Sequence, residues 1–493
     1  MNVLVPLPIV LPLLGAAISM SLHRRAHAQR SLGVAVVVGS LATSVVLLAR
    51  VADGEPVSVR VGGWSSPIGI TLVVDLFSAL VLVTATTCVL AVLLYAIGSR
   101  RTRDEELFFH PVYLVLTAGV AASLLTGDLF NLFVAFEVML VSSYVLITLG
   151  GAADQVRSGM TYVVINLIAS TLFITAVGLV YAATGTVDMA ELSVRMPEIA
   201  DGVRDALGLL LLVVFGIKAA VFPLFFWLPD SYPTAPTPVT AIFAGLLTKV
   251  GVYAIIRTQT LLFPETGPSA LMLVIAGATM IVGVLGAIAQ EDMKRILSFH
   301  IVSQIGYMVF GLGLFSVAGI AGAIIFVVHQ IVVKTTLFLV TGIVEETHGT
   351  AALRRLGGLV HEAPFVAALY LLSALSLAGL PPFSGFVAKL ALVEAGIAAQ
   401  SWAIVAISLF GSLLTLFSMT KIWNGVFWGT PDEPPVAGAG VAAASARIVA
   451  PTAALVAVGL AIAVLAGPLY DLSHEAAETL VERDPYVEEV RGR

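Results

Sequence analysis

The chain has 493 residues, of which 59% are hydrophobic and 11% are charged, and its mean hydropathy is +1.02. An average soluble domain is about one-quarter charged, so this composition excludes a water-soluble globular protein and indicates a membrane protein. The net charge is −6, and the single cysteine, Cys88, lies in an apolar segment and has no possible intramolecular partner.

In chain order, apolar segments of roughly 20 residues predict about fourteen transmembrane helices, and therefore an all-α polytopic fold. The predicted spans are 3–21, 32–50, 72–97, 111–127, 129–149, 160–183, 205–229, 237–261, 270–289, 296–316, 319–345, 364–395, 402–427 and 447–470. Segment 51–71 alternates polar and apolar residues between turn signals, which predicts a small hairpin outside the membrane. The acidic segment 471–493 is typical of a solvated tail.

Basic residues are concentrated in alternate loops, which predicts the orientation of the chain. One side carries Arg24, Arg25, Arg30, Arg100, Arg101, Arg103, Arg157, Lys294, Arg295, Arg354, Arg355 and Arg447. The other side carries Arg50, Arg60, Arg195, Arg204 and Arg257 before the tail. We expect the first side to face the cytoplasm, and an even number of helices then puts both termini on the outer side of the cell membrane.

Five of the six lysines fall inside predicted spans, and Lys421 lies near the end of the thirteenth. The other four, Lys218, Lys249, Lys334 and Lys389, are the candidates for a function. A lysine at mid-membrane costs about 2.5–3.5 kcal/mol on insertion scales, so a function is the default explanation for keeping it there. A buried ammonium can lose its proton near neutral pH, whereas a guanidinium effectively cannot, and arginine is expected only outside the spans. The alternatives are structural ion pairs and lysines that snorkel to the interface, which fits Lys334, placed near the end of its span, best.

Glu137 is the one carboxylate deep in a span. Lys218 is its expected partner if the fifth and seventh spans pack together, either as a protonation switch or as a static clamp. His329, in the eleventh span, can relay protons through its two ring nitrogens, although a lone histidine is also common in a core. His300 is expected to line the cytoplasmic mouth, and Asp75, Asp128 and Asp230 are expected to be cap or loop residues.

Prolines interrupt two of the spans. Pro223 leaves the carbonyl of Ala219 without its helical donor, and Pro381 with Pro382 does the same for Leu377 and Ala378. Free carbonyls at membrane depth are tolerated only beside protein or water, so they fit a proton path, with a packing kink as the alternative. Lys389 follows its break by two helical turns and faces the same side.

The two broken spans, seven and twelve, are five helices apart, an odd offset. They therefore predict two five-helix repeats of opposite topology, spans four to eight and nine to thirteen, as found in transporters. The expected organisation is 1–110 for the first three helices with the hairpin, 111–262 and 263–430 for the repeats, and 431–493 for the last helix and the tail.

Motifs of soluble enzymes and of nucleic-acid binding are missing from the sequence, including CxxC, HExxH, the P-loop and the nucleophile elbow. We therefore expect a transporter subunit without a cofactor, and the sequence assigns no metal site.

Five segments together carry a resemblance to a known family. They are LFNLFVAFEVMLVSSYVLITLGG, FGIKAAVFPLFFWLPDSYPTAPTPVTAIFAGLLTKVGVYAIIR, ILSFHIVSQIGYMVFGLGL, HQIVVKTTLFLVTG and LAGLPPFSGFVAKLAL. The chain resembles, over essentially its whole length, the antiporter-like membrane subunits of respiratory complex I and of Mrp multisubunit cation/proton antiporters. The segments FEVMLVSSYVLITLGG and AALRRLGGL and the length near 490 most resemble the D-subunit branch of the Mrp group. The lysine of the twelfth span fits that branch and also some complex I subunits, and it departs from the complex I paralogue with glutamate there.

The resemblance implies a proton-translocating line of ionisable residues. Residue by residue, that line is Glu137, Lys218, Lys249, His329 and Lys389, with Lys334 and His300 as further candidates. It also implies partner membrane subunits and exchange of Na+ or another monovalent cation for protons, with no nucleic acid involved. The alternatives are a proton-pumping subunit of an NADH:quinone oxidoreductase or membrane-bound hydrogenase, and a structural subunit whose charges guide assembly.

Overall fold

The computed structural model describes residues 2–492 except 65, 67, 100–102, 266, 268 and 435–443. Arg100 and Arg101, which belong to the side expected to face the cytoplasm, lie outside the described residues. The described residues form a helical bundle with one two-stranded antiparallel sheet.

The α-helices are α1 (Leu7–Ser21), α2 (Ala26–Arg50), α3 (Leu76–Gly98), α4 (Arg103–Leu125), α5 (Leu129–Thr148), α6 (Ala153–Thr184), α7 (Met189–Arg195), α8 (Asp201–Ala219), α9 (Trp227–Ser231), α10 (Thr237–Ile242), α11 (Thr248–Leu261), α12 (Ala270–Ile288), α13 (Met293–Gly313), α14 (Val317–His348), α15 (Leu359–Glu362), α16 (Pro364–Ala378), α17 (Ser384–Ala398), α18 (Trp402–Ile422), α19 (Ala446–Val464), α20 (Ala466–Glu482) and α21 (Asp484–Arg491). Two π-helical segments, Phe243–Leu247 and Trp423–Trp428, continue α10 and α18. The strands are β1 (Val57–Arg60) and β2 (Thr71–Val74).

Each predicted span corresponds to helical structure, so the all-α polytopic fold is confirmed. Within the described residues, 11 helices are long and apolar enough to cross a membrane, and α1 and α16 are shorter apolar helices. The seventh span is broken between α8 and α9, and the twelfth between α16 and α17. The eighth span runs without interruption through α10, a π-helical segment and α11 because a π turn changes the helical pitch without ending the helix.

The predicted hairpin is present, but the predicted start of the third span, residue 72, is wrong. Residues 71–74 form β2, which pairs with β1 in antiparallel register, Val57 opposite Val74. The helix begins only after Asp75, whose side chain accepts a hydrogen bond of 2.8 Å from the backbone N–H of Ser78. An N-cap of this kind has extended backbone, so the residues before it remain available for the sheet.

The prediction of a solvated acidic tail is also wrong, because the tail forms α20 and α21 and packs against the bundle. Ala476, Ala477 and Leu480 are buried on α20, and Tyr486 and Val490 on α21. Their spacing gives each helix an apolar face despite the acidic composition. Glu489 accepts hydrogen bonds of 2.9 Å from both the backbone N–H and the hydroxyl of Ser58, which ties α21 to the hairpin.

Two helix pairs, α5–α6 and α13–α14, repeat one local arrangement. Each first helix is capped by an aspartate, Asp128 or Asp292, and this residue forms an isolated β-bridge beyond the end of the next helix. The bridges join Asp128 to Asp188 and Asp292 to Ala352, and α6 and α14 both have 32 residues. This repetition supports the two five-helix repeats, while the division of the chain at 110, 262 and 430 stays a prediction.

Arg257 contradicts the expectation that arginine stays outside the spans. It lies in α11, is 4% exposed, and pairs with Asp75 at 2.6 Å between Nη2 and Oδ2. Its guanidinium also stacks over the ring of Tyr486 at 5.1 Å. Both partners come from segments far away in the chain, so they compensate the buried charge in a way that the local sequence does not indicate.

Candidate functional site

Glu137 and Lys218 come together as predicted, but through a third residue. Lys218 is 4% exposed on α8, and its Nζ donates to Ser170 Oγ of α6 at 3.1 Å. Ser170 Oγ in turn donates to Glu137 Oε1 of α5. The helices α5, α6 and α8 thus bring a carboxylate, a hydroxyl and an amine into one hydrogen-bonded series, and the seventh span contributes its lysine from the last turn before its break.

The break after Lys218 positions that turn. Helix α8 ends at Ala219, and Ala220 takes the left-handed conformation that terminates it. The backbone N–H of Phe222, just before Pro223, donates to Thr279 Oγ1 at 3.0 Å, and Trp227 Nε1 donates to the carbonyl of Ile217 at 3.1 Å. Lys218 itself turns away from the break and towards α6, where it also donates to the carbonyl of Asn166 at 3.3 Å.

Lys249 lies in the first turn of α11 and is 2% exposed. Its Nζ donates to the carbonyl oxygen of Ala244 at 2.5 Å, inside the π-helical segment Phe243–Leu247. The widened turn of a π-helix frees hydrogen-bonding capacity on the backbone. A lysine is thereby held on an uncharged acceptor in the middle of the bundle.

Lys334 is fully buried in the middle of α14, so it does not snorkel, and its expected place near the end of a span is wrong. Its Nζ has no hydrogen-bond partner among the described residues, and it lies within electrostatic range of Lys249 and Lys389. His300 is likewise fully buried instead of lining a mouth, with Nε2 3.0 Å from Ser418 Oγ. Helix α14 is about 48 Å long at 1.5 Å per residue, which is more than the bilayer core requires, and Lys334 lies near its centre.

Lys389 binds the two carbonyls that the prolines were expected to free. Its Nζ donates to Leu377 O at 3.2 Å and to Ala378 O at 3.0 Å, across the break that contains Pro381 and Pro382. It also lies over the ring of Tyr307 at 4.9 Å from the centroid. The break thus supplies the ligands of its own lysine, because α17 resumes close enough to return Lys389 to the end of α16.

His329 of α14 faces the same break. Its Nδ1 lies 2.9 Å from Ser384 Oγ, and Ser384 Oγ lies 3.1 Å from Ser376 Oγ. The Nε2 atom has no partner among the described residues. His329 is within electrostatic range of both Lys389 and Lys334.

Several other buried polar atoms near these groups have hydrogen-bonding capacity to spare within the described part of the chain. They are Thr248 Oγ1, His300 Nδ1, Gln304 Nε2 and Gln330 Oε1. Buried polar atoms of this kind are normally satisfied by water. The region where α11, α13 and α14 meet is therefore chemically suited to hold water between Lys249, Lys334 and Lys389. Among the described residues, no group of three or more His, Cys, Asp or Glu could hold a metal ion.

Sequence reasoning missed the residues that join the predicted ones, above all Ser170, Ser384 and Tyr307. A weak signal was available for Ser170, because Asn166 precedes it by one helical turn and the two form a polar stripe in an apolar span. Which side chains this stripe contacts, however, depends on which helices pack together.

Residues 126–415 match the sequence family described as NADH:quinone oxidoreductase/Mrp antiporter, transmembrane. The chain is 42% identical to the D subunit of the Na(+)/H(+) antiporter of Alkalihalophilus pseudofirmus, over 99% of both chains. It is 37% identical to the corresponding D subunit from Bacillus subtilis, also over 99% of both chains. Among solved structures, a chain of the Mrp complex from Dietzia sp. superposes with a TM-score of 0.93 at 35% identity, covering 100% of each chain.

Proposed function

The chain belongs to the NADH:quinone oxidoreductase/Mrp antiporter family, and we propose that it is the proton-carrying subunit of a multisubunit antiporter that exchanges Na+ or another monovalent cation for protons. The observation that carries this proposal is the set of four buried lysines in neighbouring helices, Lys218, Lys249, Lys334 and Lys389. Charged groups at membrane depth are expensive, and a series of titratable ones is typical of a proton relay.

In this proposal, protons pass along Glu137 and Lys218, then Lys249, and then His329 and Lys389. Lys334 is within electrostatic range of Lys249 and Lys389, and His300 is within electrostatic range of Lys334 and Lys389, so both are included as secondary members. The amines of Lys218, Lys249 and Lys389 contact a hydroxyl, backbone carbonyls and an aromatic ring. These partners carry no formal charge, so they do not hold the amine permanently protonated as a carboxylate would. The protonation state of this line would bias cation movement elsewhere in the assembly.

The proposal includes other membrane subunits as partners. Beside Glu137, α4 and α5 form a lateral apolar groove of about 480 Å³, lined by residues that include Val112, Phe133, Val138 and Val141. A partly exposed carboxylate at the base of such a groove is better accommodated beside another membrane protein than beside lipid tails. The chain would lie in the cell membrane, with both termini on the outer side.

The test uses the whole complex in everted membrane vesicles, with a pH-sensitive dye to report proton movement on addition of Na+. Glu137→Ala and Lys218→Ala should each abolish antiport while the complex still assembles. Lys421→Met is the matched control, because this lysine donates to the carbonyls of Ile288 and Gln290 at the membrane boundary, outside the proposed line. Full activity in either test variant, with verified assembly, would contradict the proposal.

The two alternative functions that the sequence left open predict different observations. A proton-pumping subunit of a redox complex would be encoded beside iron–sulfur and flavin subunits instead of small membrane antiporter subunits. An assembly subunit would show intact transport but a broken complex when Lys389 is replaced by alanine. The names of the relatives at 42% and 37% identity favour the antiporter.

A further inference from the structure

The hydroxyl of Ser170 bonds differently from three threonine hydroxyls of the same helix. Buried and lipid-facing hydroxyls in a helix commonly donate to the carbonyl one turn back. On α6, Thr171 donates to Leu167 O at 2.9 Å, Thr175 to Thr171 O at 2.7 Å and Thr184 to Val180 O at 2.8 Å. Ser170 instead donates to Glu137 on the neighbouring helix.

The structure gives a cause for this difference. The carbonyl one turn before Ser170 is that of Asn166, and it accepts a hydrogen bond of 3.3 Å from Lys218 Nζ. The same amine donates to Ser170 Oγ at 3.1 Å. A serine hydroxyl has one proton to donate and lone pairs that accept. With Lys218 on its accepting side, Ser170 directs its only proton to Glu137.

The resulting series has a single direction, from the Lys218 amine through the Ser170 hydroxyl to the Glu137 carboxylate. Ser170 is 6% exposed and Lys218 is 4% exposed, so bulk solvent does not compete for the hydrogen bond between them. Glu137 is half-buried and lines the groove between α4 and α5. The acid and the base stand on different helices, α5 and α8, and α6 supplies the atom between them.

We propose that Ser170 relays the proton between Lys218 and Glu137; this rests on the proposed function and adds a residue to its line. In the forward step an N–H bond of the Lys218 ammonium breaks as an O–H bond forms at Ser170 Oγ. The original O–H bond of Ser170 breaks as an O–H bond forms at Glu137 Oε1. Lys218 ends as a neutral amine, Glu137 as a neutral acid and Ser170 as a hydroxyl, so one proton has crossed and the atoms balance. The reverse step restores the charged pair.

This relay removes the need for direct contact between the two charged groups. Among the described residues, Glu137 and Lys218 share no ion pair, and the hydroxyl completes the connection. Positioned proton transfer of this kind contributes typically about 10²–10⁴-fold to a rate. The loss of one relay atom should therefore slow transport strongly without removing either charge.

The experiment compares Ser170→Ala, Ser170→Thr and Ser170→Cys in the whole complex, in everted vesicles. Ser170→Ala should lower the maximal antiport rate about tenfold or more, with the half-saturating Na+ concentration unchanged and the complex assembled on a native gel. Ser170→Thr keeps the hydroxyl and should retain at least about half of the rate, and Ser170→Cys, a weak donor of similar size, should fall between the two. The matched control is Thr175→Val, which removes an exposed hydroxyl bonded to its own helix and should leave the rate unchanged.

A wild-type rate in Ser170→Ala would overturn the relay. So would a rate in Ser170→Thr as low as in Ser170→Ala, because packing and not the hydroxyl would then be at fault. Glu137→Ala and Lys218→Ala, measured in the same preparation, separate this from failure of the proposed function. If they are inactive while Ser170→Ala is fully active, the antiporter function stands and the relay is wrong; if they too are active, the proposed function itself is wrong.

Discussion

Lys389 and Arg257 are both buried cations, but their neighbours differ in a way that matches their chemistry. Arg257 faces a carboxylate, Asp75, at 2.6 Å, and its guanidinium keeps its proton under all ordinary conditions. Lys389 faces two backbone carbonyls and the ring of Tyr307, and carries an amine that can exist in two protonation states. At the residue scale, the first is a fixed structural charge and the second is suited to exchange protons.

Asp128, at the membrane boundary, gives a pH-dependent prediction. Burial raises the pKa of Asp128 to about 6. The hydrogen bond from the backbone N–H of Asn131 opposes this rise, and the nearby carboxylate of Asp188 adds to it. In an unfolded chain the pKa is about 3.9, so between these values the native state binds more protons than the unfolded state. The stability of the folded state therefore falls as pH rises from about 4 through about 6. The stabilisation that Asp128 contributes is complete below about pH 4 and is lost above about pH 6.

Asp128→Asn keeps an N-cap acceptor for Asn131 but removes the titration. We expect the melting temperature of the purified complex to fall less between pH 5 and pH 7 in this variant than in the wild type. The control is Asp53→Asn, a change in an exposed loop, which should follow the wild-type curve. Identical pH slopes in Asp128→Asn and the wild type would show that the carboxyl does not titrate in this range.

At the element scale, the two broken helices use their interruptions differently. The break between α8 and α9 follows its lysine, which reaches sideways to α6. The break between α16 and α17 precedes its lysine, which reaches back to the carbonyls at the end of α16. The prolines were therefore a reliable indication of where each break lies, but only in the second break do the freed carbonyls become the ligands of the lysine.

Gly385 allows α17 to restart close to α16, and replacing it provides a test of that packing. A Cβ at this position would overlap the carbonyl oxygen of Ser376 and would lie 3.0 Å from His329 Cε1. Gly385→Ala should therefore push α17 away from α16, cost about 1–3 kcal/mol of stability, and reduce antiport. The thermal stability of the purified complex and the vesicle assay measure the two effects.

Gly178→Ala is the matched control, because this glycine also lies in a membrane helix but has open space around its Cβ position. It should leave transport unchanged and leave stability equal or slightly higher, since alanine is the better helix former by roughly 0.5–1 kcal/mol. Equal effects of the two substitutions would contradict the close contact between α17 and α16.

At the scale of the whole molecule, charged pairs and the hairpin distinguish the two ends of the bundle. The hairpin end carries Arg257–Asp75, Arg195–Glu191 and the α21 contact Arg491–Glu191. The other end carries Lys294–Glu345, Arg295–Asp230, Arg354–Glu291 and Arg355–Glu433. The second group holds the basic residues of the side that the positive-inside rule places in the cytoplasm, and the orientation itself stays a prediction.

The orientation can be measured by labelling introduced cysteines, because the chain has one native cysteine, Cys88, which is buried and can be replaced by alanine. In that background, Asp201→Cys at the start of α8 should react with a membrane-impermeant maleimide in intact cells. Asp154→Cys at the start of α6 should react only in everted vesicles. Both positions are exposed. The reverse pattern would invert the orientation, and reaction of both from one side would contradict the predicted passage of α6 through the membrane.

Much of the molecule follows from the sequence alone. The spans, their two breaks and the ionisable residues inside them, Glu137, Lys218, Lys249, His329 and Lys389, depend on local hydropathy, on proline chemistry and on a resemblance to a family, all of which are properties of short segments. What only the tertiary structure decided is which groups meet: Ser170 between Glu137 and Lys218, Asp75 beside Arg257, and α21 against the hairpin. Those contacts join residues far apart in the chain, and the free energy of a buried charge depends on the neighbours that packing brings to it, not on the residues beside it in sequence.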